Sequence, residues 1–253
     1  MTAISVYIGI DPTAGGRLHT LAVLDVRLKV ARIEKVRFDA LIEIIGEYPS
    51  VVVGIDAPIA PGKGLMADSD YRKRLGLDPK STAYNNYRVC EYECRRRRIN
   101  LYNTPRKAED APRWMQEGWR IYDALRKLDF VEYPRSGARR LFETFPHGGF
   151  MTIIKRKPYS KSAVEGLLQR QMILFEEGIA VPDPMETLEE WTRHKVLAGD
   201  LSRGGLYDHD QLDALMAAYT AYLADQQPNE VCSIGDPVEG QIVLPVPALL
   251  DKY

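Results

Sequence analysis

Cysteine and histidine are scarce in this chain, and its net charge is close to nil. The cysteines are Cys90, Cys94 and Cys232. So low and odd a count excludes a disulfide framework and predicts a reducing, cytoplasmic setting. Cys90 and Cys94 can share a helical face, but no second ligand pair stands at zinc-finger spacing. The four histidines, His19, His147, His194 and His209, suit a zinc hydrolase poorly. A formal net charge of −1 over 253 residues excludes a uniformly basic nucleic-acid binder, so an anionic partner must be held by local patches or metal ions. No stretch approaches the ~18 consecutive apolar residues of a membrane span, and no basic segment precedes an apolar run at the N-terminus. Internal repeats and low-complexity tracts are missing. The stretch "PGKGLMADS" lacks the spacing of a phosphate-binding P-loop.

What the chain does have is an ordinary globular composition, 45% hydrophobic and 27% charged, and a clear order of elements. Residues 4–10 alternate and are β-branched, a first strand, and Gly15 and Gly16 turn the chain. Residues 20–26 and 30–38 give strands two and three. Residues 39–48 carry Leu41, Ile44 and Ile45 at helical spacing, with Asp39 as the expected cap. Residues 51–56 form a fourth strand without alternation, as expected of a strand covered on both faces. A charged segment from about 61 to 135 reads as a helical insertion. Its clearest helix is 114–128, with Met115, Trp119, Tyr122 and Leu125 in one stripe. Residues 139–145 make strand five. Helices are expected over 160–175, 186–196 and 208–223, the last with Leu212, Leu215, Met216, Tyr219 and Leu223 at the 3.6 period. "GQIVLPVP" suits a short edge strand. Crossover rules then predict one α/β domain over 1–253. Its mixed five-stranded sheet has the order 3-2-1-4-5, with helices on both faces and the insertion after strand four.

Two strands end in an aspartate followed by a chain break: "VYIGIDPTAG" at Asp11 and "VVVGIDAPIA" at Asp56. In the expected sheet these strands are parallel neighbours, so Asp11 and Asp56 face one crevice at their carboxyl ends. Glu143 comes late on strand five. The last helix, "LYDHDQLDALMAAYTAYL", adds Asp208, Asp210 and Asp213. Asp208 with Gln211 makes a D-x-x-Q capping box, and Asp210 suits the positive end of the helix. Asp213, a turn further in, is explained by neither. Converging carboxylates repel one another until some protonate, unless a cation sits among them. Hard oxygen donors favour Mg²⁺ or Mn²⁺, which the sequence places on Asp11, Asp56 and Asp213. His209 can assist in activating water, and His147, after Pro146, reads as a turn residue.

Taken together, "IGIDPT", "GIDAPIAP", "ETFPH" and "DHDQLDALMAAY" resemble domain of unknown function family 429, described as predicted nucleases of the ribonuclease H fold. The helix "DQLDALMAAY" alone is similar to that of Holliday-junction resolvases of the RuvC type. The resemblance implies a ribonuclease H-like fold and a metal-dependent nuclease acting on DNA or RNA. It implies Asp11, Asp56, Glu143, Asp210 and Asp213 as catalytic acids. In ribonuclease H itself an acid also stands on the first helix; here "DALIEIIGEY" offers Glu43 and Glu47, read as solvated.

A nuclease needs cations for phosphate. The candidates are Lys63, Arg88, Arg139 and Arg140, together with Arg135, the run 95–98 and the loop 155–157. Tyr84, Tyr87, Tyr92 and Tyr102 can stack bases or pack the insertion against the sheet, and packing is the expectation. Two other readings compete. One is a non-catalytic nucleic-acid-binding or scaffold protein of the same fold. The other is an actin-like ATPase, because "GIDPTAGG" resembles that superfamily's first phosphate loop; no second G-x-D-x-G strand end is present to complete it.

Overall fold

The computed structural model of the chain describes residues 5–14, 16–200 and 203–253. Ile4 and Gly15, read above as strand and turn, lie outside them. The elements in chain order are β1 (Val6–Asp11), β2 (His19–Leu24), β3 (Val30–Val36), α1 (Phe38–Gly46), β4 (Val51–Ile55), α2 (Ser69–Arg74), α3 (Val89–Arg96), α4 (Arg113–Arg126), β5 (Val131–Glu132), β6 (Arg139–Thr144), α5 (Pro146–Ile154), α6 (Val164–Glu176), α7 (Pro184–Glu189), α8 (Arg193–Ala198), α9 (His209–Gln226), β7 (Cys232–Asp236) and β8 (Gly240–Leu244). Among the described residues no helix is long and apolar enough to cross a membrane.

The sheet has eight strands, not five. Its order is β3-β2-β1-β4-β6-β8-β7, with β5 beside β6. The five expected strands keep their expected order, since β6 is the anticipated strand five. The sheet then continues through β8, parallel to β6, and β7, antiparallel to β8. The segment "GQIVLPVP" therefore supplies an inner strand and not the edge. Two other expectations are corrected. Arg37, not Asp39, stands at the cap of α1. The single helix expected over 186–196 is two short ones, because Thr192 caps a new start by accepting from Lys195 N–H.

Strand periodicity divides the core. Ile8, Ile10, Leu21, Val23, Val53 and Ile55 point to the face covered by α1 and α4. Tyr7, Ala22, Leu24 and Val52 point to the opposite face, under α5, α6 and α9. Alternate residues of β1 and β4 thus meet different helices, so both strands are apolar throughout. The α4 helix closes the crossover from β4 to β6 on the sheet, so the segment after β4 is not all appendage. Its buried stripe is Met115, Gly118, Ile121, Tyr122 and Leu125; Trp119 stands half out of it.

The α9 helix packs on the centre of the sheet at backbone distance. Gly9 and Gly54 are partners in the parallel β1–β4 ladder. A Cβ on Gly9 would lie 1.8 Å from the carbonyl oxygen of Ala214, and one on Gly54 would lie 2.6 Å from that of Ala217. The helix backbone rests directly on the two glycines, and Ala214, Ala217, Ala218 and Ala221 on the helix keep it narrow. This is why α9 is buried on nearly every side from Leu212 to Ala224 rather than along one stripe.

The contact is with backbone and cannot yield to a rotamer change. Gly9→Ala is therefore expected to lower unfolding free energy by roughly 3 kcal/mol, the upper end of overpacking costs. Gly54→Ala should cost less. Chemical denaturation of both variants checks the ranking.

Candidate active site

β1 carries Asp11 as its last residue. The β1–β4 ladder runs one step beyond β4, because Asp56 N–H donates to the Ile10 carbonyl at 2.9 Å. That bond sets Asp56 beside Asp11 at the carboxyl ends of two parallel strands. The α9 helix lies over them, its start fixed by the capping box that the sequence announces: Asp208 accepts from Gln211 N–H and the Gln211 side chain accepts from Asp208 N–H, both at 2.9 Å. With α9 seated on Gly9, Asp213 is brought against the strand ends and is 2% exposed. Its Oδ2 accepts from the Lys161 ammonium at 3.1 Å, while Oδ1 is buried with no hydrogen-bond partner among the described residues.

The electrostatics follow from this crowding. Burial pushes the Asp11 carboxyl well above the usual range, and Asp56, Asp213 and Asp210 add to the rise. Burial does the same to Asp56, helped by Asp213 and Glu143. Asp213 is raised by burial, against the opposing pull of Lys161 and Arg170. Burial alone would lower Lys161; the charges of Asp213, Asp11 and Asp56 outweigh it and hold the ammonium charged. Burial thus disfavours ionisation of all three carboxyls around a half-exposed lysine, and Asp213 adds to the effect on Asp11 and Asp56.

The other expected acids stand apart from this centre. Asp210 lies at the rim, bound to Lys35 at 2.9 Å, with His209 Nδ1 at 2.7 Å but out of line for a hydrogen bond. Asp208 shares the same lysine at 3.0 Å. Glu143 is fully buried and committed to protein donors: Arg88 gives both terminal nitrogens, at 2.6 and 2.8 Å, and Ile59 N–H donates at 2.8 Å. Burial pushes this carboxyl up and Arg88 pulls it down. Three N–H donors, two of them from a guanidinium that stays charged, favour the carboxylate. Glu143 therefore braces the loop three residues after Asp56.

The expected phosphate cations need correction. Arg88 is fully buried, bridging Glu143 and Glu91, and cannot meet a backbone phosphate. Arg139 donates to the carbonyls of Gly46, Tyr48 and Leu128. Arg140 is paired with Asp225. Both lie at the N-terminal end of β6, level with Val51 and Val52 and away from the strand ends that carry Asp11 and Asp56. Of the run 95–98, Arg95 is spent on Tyr87 and Asn100, and Arg96 and Arg97 on Glu93. Lys63 is exposed on a loop tied down by the buried Glu239, which accepts from Lys63 and Leu65 N–H at 2.9 Å. Tyr84, Tyr87 and Tyr92 pack on one another, and Tyr102 packs on Trp114 and Phe145.

Two residues near the site, Lys161 and Arg170, escape a reading of the sequence, and a third, His147, is placed differently from its expectation. Lys161 sits in the loop before α6, which Arg170 anchors by donating to the Tyr159 carbonyl at 3.0 Å. Arg170, itself fully buried, adds a second positive field on Asp213. His147 occupies the first turn of α5, not a free turn, and Arg170 Nη2 lies 3.4 Å from its Nδ1. Burial, then Arg170, Lys161 and Lys157, lower its pKa to about 4, so the ring is neutral at pH 7.

As the side chains stand, no three His, Cys, Asp or Glu among the described residues form a ready-made metal cage. The donors nevertheless fit a hard divalent cation in kind, as three oxygen ligands with one buried oxygen unpartnered.

The site's charge sets two expectations. The raised pKa values of Asp11 and Asp56 mean that the fold favours their protonated forms. Their contribution to stability is fully present below the ordinary carboxylate range of about 4, and is lost as pH rises through the raised values. Asp56→Asn should therefore be more stable than the parent protein at pH 7, with the gap closing towards pH 4. Denaturant titrations across that range check it. Lys161→Met removes the ion pair that Asp213 makes with this lysine and should destabilise by about 1 kcal/mol, a figure discounted for the solvent exposure of the lysine.

Comparison with known proteins assigns a family. Residues 9–239 match the model of the family described as "Protein of unknown function (DUF429)", and the chain belongs to that family. Neither the curated proteins nor the solved structures yield a match.

Proposed function

We propose that this DUF429 chain is a metal-dependent phosphodiesterase acting on nucleic acid, with a site of the ribonuclease H type. One observation carries the reading: Asp11, Asp56 and Asp213 crowd together at two parallel strand ends, and Asp213 Oδ1 is buried without a partner. A buried acceptor left unpaired costs about 1–3 kcal/mol. A site that retains it calls for a ligand absent from the protein itself. Asp11, Asp56 and Asp213 would hold Mg²⁺ or Mn²⁺, which when bound supplies charge for a phosphoryl oxygen and a water of lowered pKa.

The chain's own residues do the rest. The Ile10–Asp56 backbone bond fixes the relative height of two carboxylates. Glu143 and Arg88 hold the loop after Asp56 through Ile59. Lys161 neutralises Asp213 and, being half exposed, is free to turn towards a phosphate at the cleft mouth. Asp210 remains at the rim on Lys35.

A second reading, a nucleic-acid-binding or scaffold protein without catalysis, draws on one observation: Lys161 already neutralises Asp213. Incubation with single-stranded, duplex and branched DNA and with RNA, each with Mg²⁺ or Mn²⁺, separates the two. The nuclease reading expects cleavage by the parent protein and a loss of at least a hundredfold, about 2.7 kcal/mol of barrier, in Asp56→Asn with binding retained. Equal activity in both proteins would assign the cleavage to a contaminant. No cleavage of any substrate would favour the scaffold.

A further inference from the structure

The surface around Asp11 is grooved, and three of the arginines that line the groove make no side-chain contact of charge or hydrogen bond within the described fold. A cavity of about 560 Å³ opens at Asp11 and is walled by Thr13, Arg17, Arg113, Trp114 and Lys161. A second cavity, about 210 Å³, shares Thr13 and Arg17 with it and continues past Arg37 and Arg120. Thr13 and Arg17, common to both, place the second cavity next to the first on the side away from Lys161.

Three of its cations differ from the paired arginines of the fold. Arg88, Arg95, Arg96, Arg97, Arg139 and Arg140 all have internal partners. Arg17, Arg37 and Arg113 are exposed, and among the described residues none of their guanidinium groups has a hydrogen-bond or ion-pair partner. Two acids also line the second cavity. Glu117 is 3.4 Å from Arg120, and Asp39 is exposed on the first turn of α1. Trp114 is half-buried. Tyr102 packs against its ring edge-on, with centroids 4.9 Å apart, so the indole is propped in the cavity wall beside Arg113.

We propose that this groove binds a single strand of nucleic acid, with phosphates on Arg113, Arg17 and Arg37 and an unstacked base against Trp114. The assignment rests on the phosphodiesterase reading and specifies its substrate class. A row of free guanidinium groups tracks a phosphate backbone, and an aromatic in the same wall offers a platform for any base. A base inside a duplex is stacked on both faces and cannot reach a ring set into a cavity wall. The single strand is therefore the form that the groove fits.

The test is fluorescence anisotropy with a labelled twelve-nucleotide oligodeoxythymidylate and a duplex of the same length. EDTA prevents turnover, and salt is varied from 50 to 200 mM. Three phosphate contacts predict a log–log salt slope of about −2 for the single strand, and each of Arg17→Ala, Arg37→Ala and Arg113→Ala should reduce it by about 0.7. Trp114→Leu, which keeps an apolar contact with Tyr102, should weaken binding about tenfold and leave the slope unchanged. Thermal melts confirm that the variants fold. Duplex binding as tight as single-strand binding would overturn the assignment. So would variants that bind like the parent protein, or a parent protein that does not bind. Binding with the predicted pattern but without cleavage supports the groove and removes the nuclease reading. Cleavage that is indifferent to all four substitutions does the reverse.

Discussion

The contact on which the site depends is that between the backbone of α9 and two glycines. Gly9 and Gly54 stand side by side in the parallel ladder, and any side chain there would collide with a helix carbonyl. The absence of two Cβ atoms lets a helix lie on the sheet at backbone distance. The narrow alanine face of α9 completes the fit. Because α9 can approach so closely, Asp213 reaches the strand ends where Asp11 and Asp56 stand. Moving the helix outward by the depth of one methyl group would separate the third carboxylate from the other two.

The described residues include two groups of acids, handled in opposite ways: one fully buried, the other at the strand ends, where Asp213 is buried and Asp11 and Asp56 are partly exposed. Glu91, Glu143 and Glu239 surround Arg88 and the loop after Asp56. Glu91 accepts from Arg88 and from Thr104, Glu143 from Arg88 and Ile59, and Glu239 from the N–H groups of Lys63, Leu65 and Val89. Those acids are structural, with every carboxylate satisfied by protein donors. Asp11, Asp56 and Asp213 share Lys161; burial raises the pKa of all three, and Asp213 adds to the rise of the other two. A fold that satisfies one set so fully and leaves the other short separates a scaffold from a site.

The strand ends at Asp11 and Asp56, the cap at Asp208 and the inward place of Asp213 were all legible in the sequence, because each rests on local chemistry: a break after an apolar run, a D-x-x-Q spacing, a 3.6 period. The central order of the sheet was legible through the crossover rules. The residues that escaped depend on contacts far apart in the chain. Lys161 lies in a polar loop with no periodicity, and the anchors that Arg170 and Gln169 give to Tyr159 hold it near Asp213. Arg88 reads as one surface arginine among many, although it is wholly buried, because its partner Glu143 is 55 residues away. The short β5 and the outer pair β7 and β8 carry too few alternating residues to announce a pairing. The α5 helix begins at Pro146, which reads equally well as a strand stop.

The central claim of the proposal is that Asp11, Asp56 and Asp213 together hold a divalent cation, which displaces protons that burial favours on Asp11 and Asp56. Calorimetric titration of the metal-free protein with Mn²⁺ at pH 6, in two buffers of different ionisation enthalpy, measures it directly. The account predicts saturable binding with net proton release, seen as a heat that changes with the buffer, and loss of both in Asp213→Asn. Binding heat that is the same in both buffers, or affinity unchanged in Asp213→Asn, would contradict it.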